Sequence, residues 1–320
     1  MDDKPVIYVG IDNSWRETGA LEWALQQAGL RRKPLRAVHV INEPARRTTS
    51  YWEPTVAKDA VTELVNDVQK HVDTHGGGLD HDAELMVGSP AAKLAEAAEG
   101  SAMLVVGRRG MGAFKRLLIG STSETAVHEA TVPVVVVPDA WKPSDHSGPI
   151  VIAVGAADEP EALLEFAVTA ATERKVPLRL VHVWDLPSIY SWDVTTMAGV
   201  EQEWDDKAQR EWDAVADQWR LKYPDLVIEV DLRRGHAVDG VIKAAEQCDA
   251  QLLVVGSRRH HRMTSMLLGS VARGVLHHAT CPIAVVHTRQ DSGGREPRAC
   301  HAPTSSYRRT ESYRRTERRS

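Results

Sequence analysis

Leu104-Val105-Val106-Gly107-Arg108-Arg109-Gly110, followed after nine residues by Gly120-Ser121, reads as a buried strand, a glycine-bearing loop and the start of a helix. The pattern returns at an offset of 149 as Leu253-Val254-Val255-Gly256 and Leu268-Gly269-Ser270. At the same offset Ala130-Thr-Val-Pro133 returns as Ala279-Thr-Cys-Pro282. Further upstream, Leu35-Arg-Ala-Val-His39-Val40 returns as Leu178-Arg-Leu-Val-His182-Val183 at an offset of 143. Loop insertion explains the drift, so two copies of about 140 residues stand in tandem. The expected division is a first domain over 1–140, a linker over 141–148 with Pro143, Ser144, Ser147 and Gly148 as breakers, a second domain over 149–288 and a tail over 289–320.

Each copy alternates β-rich runs with helical patterns. The first has strands at Val6–Ile11, Leu35–Val40, Ala83–Val87, Met103–Gly107 and Val134–Val137. Between them lie helices: one with an apolar stripe at Leu21, Ala24, Leu25 and Ala28, one with Ala57, Val61, Leu64, Val68 and Val72 on one face, one opened by Ser89-Pro90, and one beginning near Ser121. Ser14 with Glu17, and Ser121 with Glu124, have capping-box spacing. The fold class is therefore α/β: two tandem doubly wound domains, flavodoxin-like, each on a five-stranded parallel sheet. Trp204, Trp212 and Trp219 fall on one face of a long helix in the second copy, where core or dimer packing accounts for them better than a ligand box. His39 and His182 fall inside strands and read as hydrogen-bonded core residues.

The chain has 320 residues, 42% hydrophobic and 26% charged, which suits two globular domains. Its longest apolar run, Val132 to Pro138, is of strand length and far below the roughly 18 residues of a membrane span. The opening Met1-Asp2-Asp3-Lys4-Pro5 lacks signal-peptide anatomy, and three scattered cysteines make neither a disulfide framework nor a zinc site. The expectation is a cytoplasmic protein with no membrane partner. The tail carries nine Arg against four acidic residues, whereas residues 1–288 carry 30 basic against 40 acidic, a net −10. An acidic body argues against nucleic acid as a partner.

In doubly wound sheets ligands bind beyond the carboxyl ends of the strands, where strand order reverses. That places the chemistry in two loops, Gly10-Ile11-Asp12-Asn13-Ser14 after the first strand and Gly107–Gly110 with Gly120-Ser121 after the fourth. Glycines admit close approach of phosphate, and helix N-terminal amides present donors to it. An aspartate at a strand end is placed to accept hydrogen bonds from ribose hydroxyls. The spacing of Gly107, Gly110, Gly120 and Ser121, with Asp12 after the first strand, resembles the ATP-binding branch of the universal stress protein family over nearly all of residues 4–288.

That resemblance implies ATP, with or without Mg²⁺, as the ligand. Backbone near Val40 would meet the adenine and Asp12 would hold the ribose, with Gly10, Ile11 and Arg108 flanking. The Gly107–Gly110 loop and the amides of Gly120, Ser121 and Thr122 would take the phosphates. It also implies pairing through the last strand, Val134–Val137, either between the two halves or in a homodimer, and a role in nucleotide-dependent stress regulation. The rival readings are a slow ATPase or nucleotide transferase on the same scaffold, and a nucleotide-free interaction module. An enzyme would need a base and a metal ligand near the γ-phosphate, and beyond Asp12 the sequence nominates neither. No Walker, dinucleotide-fold or nucleophile-elbow motif is present. Adjacent residues point apart, so the pairs His260-His261 and His277-His278 read as surface histidines rather than chelates.

The second copy departs from the pattern three times. Arg259 stands where the motif has its second glycine, Ala157 takes the aspartate position beside Asp158, and Arg273 replaces the Glu124 equivalent. Val183, Gly256, Gly269 and Ser270 then line at most a weaker second site, unless the basic run Arg258–Arg262 compensates. In the tail, the hexad Ser306–Glu311 repeats at once as Ser312–Glu317 with almost no aliphatic residues, a composition that predicts disorder.

Overall fold

The computed structural model describes residues 5–42, 54–110, 119–139, 141–143, 147–155, 161–185, 194–257 and 268–287, with side chains described except at 54–60, 194–202 and 204. Ser144, Ala157, Asp158, Arg258–Arg262, the side chain of Trp204 and the tail lie outside the described residues.

The first half runs β1 (Ile7–Ile11), α1 (Trp15–Thr18), α2 (Ala20–Arg31), β2 (Leu35–Ile41), α3 (Pro54–His75), β3 (His81–Val87), α4 (Pro90–Ala97), β4 (Met103–Gly107), α5 (Ser121–Glu129) and β5 (Val134–Val137). The second runs β6 (Ile150–Val154), α6 (Glu161–Arg174), β7 (Leu178–Trp184), α7 (Val194–Lys222), β8 (Ile228–Arg234), α8 (Ala237–Gln247), β9 (Leu252–Ser257), α9 (Ser270–His278) and β10 (Ile283–His287). Ten strands form one sheet in the order β3-β2-β1-β4-β5-β10-β9-β6-β7-β8. Within each half every pairing is parallel, and strand order reverses between β1 and β4 and again between β6 and β9.

The halves join where β5 and β10 pair antiparallel, Val134 opposite Val285 and Val136 opposite Ile283. The last strand of each copy would otherwise be an exposed apolar edge, and pairing the two covers both. Alternation along β4 sends Met103 and Val105 to one apolar layer and Leu104 and Val106 to the other. Both layers run continuously across both halves, as in sheets covered by helices on two faces. Trp212 and Trp219 are buried in the first layer, which makes them core residues. In both halves a histidine of the second strand donates from Nδ1 to the end of the first strand: His39 to the Ile11 carbonyl at 2.9 Å and His182 to the Val154 carbonyl at 3.0 Å.

Two local expectations change. The Ser14–Glu17 capping box does not form. The Ser14 hydroxyl and amide instead donate to Asp12 Oδ1 at 2.5 and 2.9 Å, closing a turn of Asx type, so α1 lasts a single turn. Gly19, at φ 69°, then redirects the chain into α2. A Cβ on it would overlap the carbonyl of Trp141, which folds back out of the linker into the core. At α5 the N-cap is Gly120 in extended conformation, so Ser121 is the first helical residue and caps nothing.

Candidate functional site

The β1/β4 switch point gathers the residues that the sequence singles out in the first half. Gly10 and Ile11 close β1, and a Cβ on Gly10 would stand 2.8 Å from Leu94. Its glycine therefore serves helix packing. Val40 is buried near the end of β2. Asp12 follows β1, its carboxylate fixed by the two bonds from Ser14, while its carbonyl accepts from Trp15 N at 3.0 Å. Gly110 lies directly against the other carboxylate oxygen, Oδ2, which fills the space a Cβ would need. The two loops of the motif thus meet at one contact. The glycine is required because the aspartate is there.

The phosphate-loop candidates form a linked backbone. Arg108 N donates to Val137 O at 2.7 Å, and Arg108 O accepts from Gly120 N at 2.8 Å. Gly120's amide is therefore already engaged. The first-turn amides of α5, at Ser121, Thr122 and Ser123, are the ones a helix leaves without intrahelical partners. Ser123, buried, ties the helix to the loop by donating from Oγ to the Gly107 carbonyl at 2.6 Å. In the second half Ala272 occupies the equivalent position, and this tie is absent.

Sequence reasoning missed the electrostatics. Arg108 does not extend into solvent: its guanidinium crosses the seam and donates to the carbonyl of Ala279 in the second half. Its Nε is buried without a hydrogen-bond partner. Desolvation lowers its pKa, a shift that Asp139 opposes and Arg109 adds to. Arg109 pairs with Asp139. Arg273, read as the loss of a capping glutamate, instead faces Glu124 of α5 at 3.7 Å across the seam. Only the duplication signals any of this, by making α5 and α9 equivalent helices.

The second half has a cavity of about 300 Å³ at its own switch point, lined by Val183, Gly256, Gly269 and Ser270 together with Val154 and Val255. Ser257, at the Arg108 position, also lines it and pairs across the strands with His287, Oγ to Nδ1 3.0 Å. A groove of about 430 Å³ between the end of β3 and α4 is lined by Met86, Val87, Lys93 and Glu96, and its Met86 pairs across the strands with Val40. Among the described residues no group of three or more His, Cys, Asp or Glu could hold a metal ion, and no helix is long and apolar enough to cross a membrane.

A doubly wound domain duplicated into one ten-stranded sheet, with an aspartate–glycine contact at its switch point, defines a class of tandem α/β proteins. The universal stress protein family model matches residues 5–138 and again 147–287, and the chain belongs to that family. A universal stress protein of Mycolicibacterium smegmatis is 32% identical over 296 residues, covering 88% of this chain and 97% of that one. One of Mycobacterium tuberculosis is 28% identical over 289 residues, covering 87% and 96%. The crystal structure of a universal stress protein from Archaeoglobus fulgidus covers 89% of this chain and 98% of its own with a TM-score of 0.64, at 19% identity, a likeness of fold.

Proposed function

We propose that the first domain binds ATP and that the protein acts in nucleotide-dependent stress regulation by binding rather than by turnover. The observation that carries this reading is the Asp12–Gly110 contact beside the N-terminus of α5. In this reading a fixed carboxylate, the side-chain-free Gly110 and the first-turn amides of α5 face one ligand. The residues fit the ligand's chemistry: carboxylate for ribose hydroxyls, amides of Ser121 and Thr122 for phosphate oxygens, and a buried Arg108 Nε without a partner nearby in sequence. Val40 and Ile11 supply apolar surface at the strand ends. Mg²⁺, where it accompanies the nucleotide, would neutralise phosphate charge.

Native mass spectrometry of the purified protein tests this reading. A mass increment equal to an adenine nucleotide, lost on Asp12→Ala, is expected. A protein that carries no nucleotide and gains none in excess ATP would contradict it.

A further inference from the structure

Arg108 belongs to two structures at once. Its main chain sits inside the candidate phosphate loop, holding Gly120 N through its carbonyl and Val137 O through its amide. Its side chain ends on Ala279 O, at the C-terminus of α9. A guanidinium there meets the negative end of the helix dipole and satisfies a carbonyl that the helix leaves open. The opposite end of α9, at Ser270, Val271 and Ala272, lines the second domain's cavity. A nine-residue helix therefore has one end on the first domain's loop and the other on the second domain's cavity. The connection runs one way. Ser257, the Arg108 equivalent, is too short to span the seam and bonds His287 inside its own half. The Glu124–Arg273 pair gives α9 a second link to the first half, from α5, near the N-terminus of each helix.

The Arg108 bond to Ala279 pairs a charged donor with a neutral acceptor and leaves Nε unpartnered. A phosphate at the loop offers the same guanidinium a charged, bidentate acceptor, which is the stronger pairing. We infer that phosphate bound at the first domain's loop takes the Arg108 guanidinium from the Ala279 carbonyl, so that nucleotide occupancy in the first domain is transmitted along α9 to the second domain's cavity. This rests on the nucleotide reading above. It assigns Arg108 as the link and α9 as the element with two states, one capped by arginine and one released. Coupling of this kind is reciprocal, so a ligand that stabilises released α9 also tightens the first site.

The test is amide hydrogen exchange on the full chain, with and without saturating ATP, alongside calorimetry on the same samples. In the unmodified protein, exchange across the last turn of α9 is expected to rise roughly threefold or more on ATP binding, as for an element released from one tertiary restraint. Arg108→Met, which keeps the aliphatic stem, should show the raised rate without ATP and no further response to it. ATP binding with α9 exchange unchanged would overturn the coupling and leave the nucleotide reading standing. Absence of ATP binding to the unmodified protein would overturn the nucleotide reading itself. If Arg108→Met binds no ATP, its unliganded exchange still decides: a rate at α9 equal to that of the unmodified protein refutes Arg108 as the link.

Discussion

Arg31 and Arg174, equivalent residues of α2 and α6, each lie over the aromatic ring that the opposite half provides. Arg31 Cζ stands 5.7 Å from the Phe166 ring centroid, and Arg174 Cζ stands 5.7 Å from that of Trp23. Phe166 and Trp23 are themselves equivalent at the 143-residue offset. The duplication is thus expressed as a local two-fold axis, broken by two polar residues, Glu173 opposite Leu30 and Gln27 opposite Ala170. Glu173 alone accepts from Arg31, at 2.8 Å, while Gln27, almost wholly buried, bonds both Glu173 and Arg174.

Arg31 pairs with Glu173 directly while Arg174 feels its charge without bonding it, and burial brings the Arg174 pKa down to about 10. Glu173→Gln removes the carboxylate whose charge acts on both arginines and should cost about 3 kcal/mol, the lower end for breaking a largely buried pair. Arg174→Met leaves a one-to-one pair of Arg31 with Glu173 and relieves the desolvation of the second cation, but strands the buried Gln27 Oε1 without its donor, so it should cost about 1–2 kcal/mol, less than Glu173→Gln. Urea denaturation of both variants checks the contrast. Equal losses would mean that the carboxylate is not the limiting charge.

Gly19 tests the α1–α2 junction. Ala at this position must adopt a left-handed conformation and also displace the Trp141 carbonyl, so Gly19→Ala should destabilise by about 2 kcal/mol or more. Trp141 fluorescence should red-shift as its ring leaves the core, although other tryptophans contribute to the signal. Pairing the substitution with Trp141→Phe isolates that component.

His81 and Asp73 should give stability a pH dependence. Hydrogen bonding to Asp73 raises the His81 pKa, and the same bond holds Asp73 below the ordinary carboxylate value. A raised histidine contributes stability that is complete below its unfolded pKa and lost as pH climbs through the folded one. A depressed carboxylate contributes above its unfolded pKa and loses it as pH falls through the folded one. The pair therefore stabilises most between the two, in the mildly acidic range. Urea midpoints should fall from pH 6 to pH 8, and His81→Gln should flatten that slope. An unchanged slope would assign it to other groups.

Gly110 and Asp12 should behave as one unit. Gly110→Ala displaces the Asp12 carboxylate, and its exposed loop position limits the stability cost to about 1 kcal/mol. The larger effect should fall on ATP affinity, with a loss of roughly tenfold or more for one or two charge-assisted hydrogen bonds. In an Asp12→Ala background the same glycine substitution should cost affinity little more. Additive losses in calorimetry would mean that the two residues act separately.

The repeat and the two-face burial of its strands made the topology legible, because a run such as Leu104–Gly107 suits only a covered parallel sheet. The element ends were legible too, since the pattern puts Gly107 at the end of a strand and Ser121 at the start of a helix, as in β4 and α5. Their contacts were not. Capping boxes at Ser14 and Ser121 matched the pattern but lost, one to an Asx turn on Asp12 and the other to a one-residue shift that makes Gly120 the cap. The reach of Arg108 to Ala279 spans 171 residues of sequence and depends on β5 pairing antiparallel with β10, which no local pattern encodes. Arg273 read as a loss because its partner, Glu124, lies in the other half.

Calorimetric titration of the full chain with ATP is the most direct measure of the central claim, that the first domain's switch point is a nucleotide site. The expected result is one site per chain of about micromolar affinity, worth about 8 kcal/mol, weakened roughly tenfold or more by Asp12→Ala in a protein that remains folded. A titration without heat or saturation, or one left unaltered by Asp12→Ala, would contradict it.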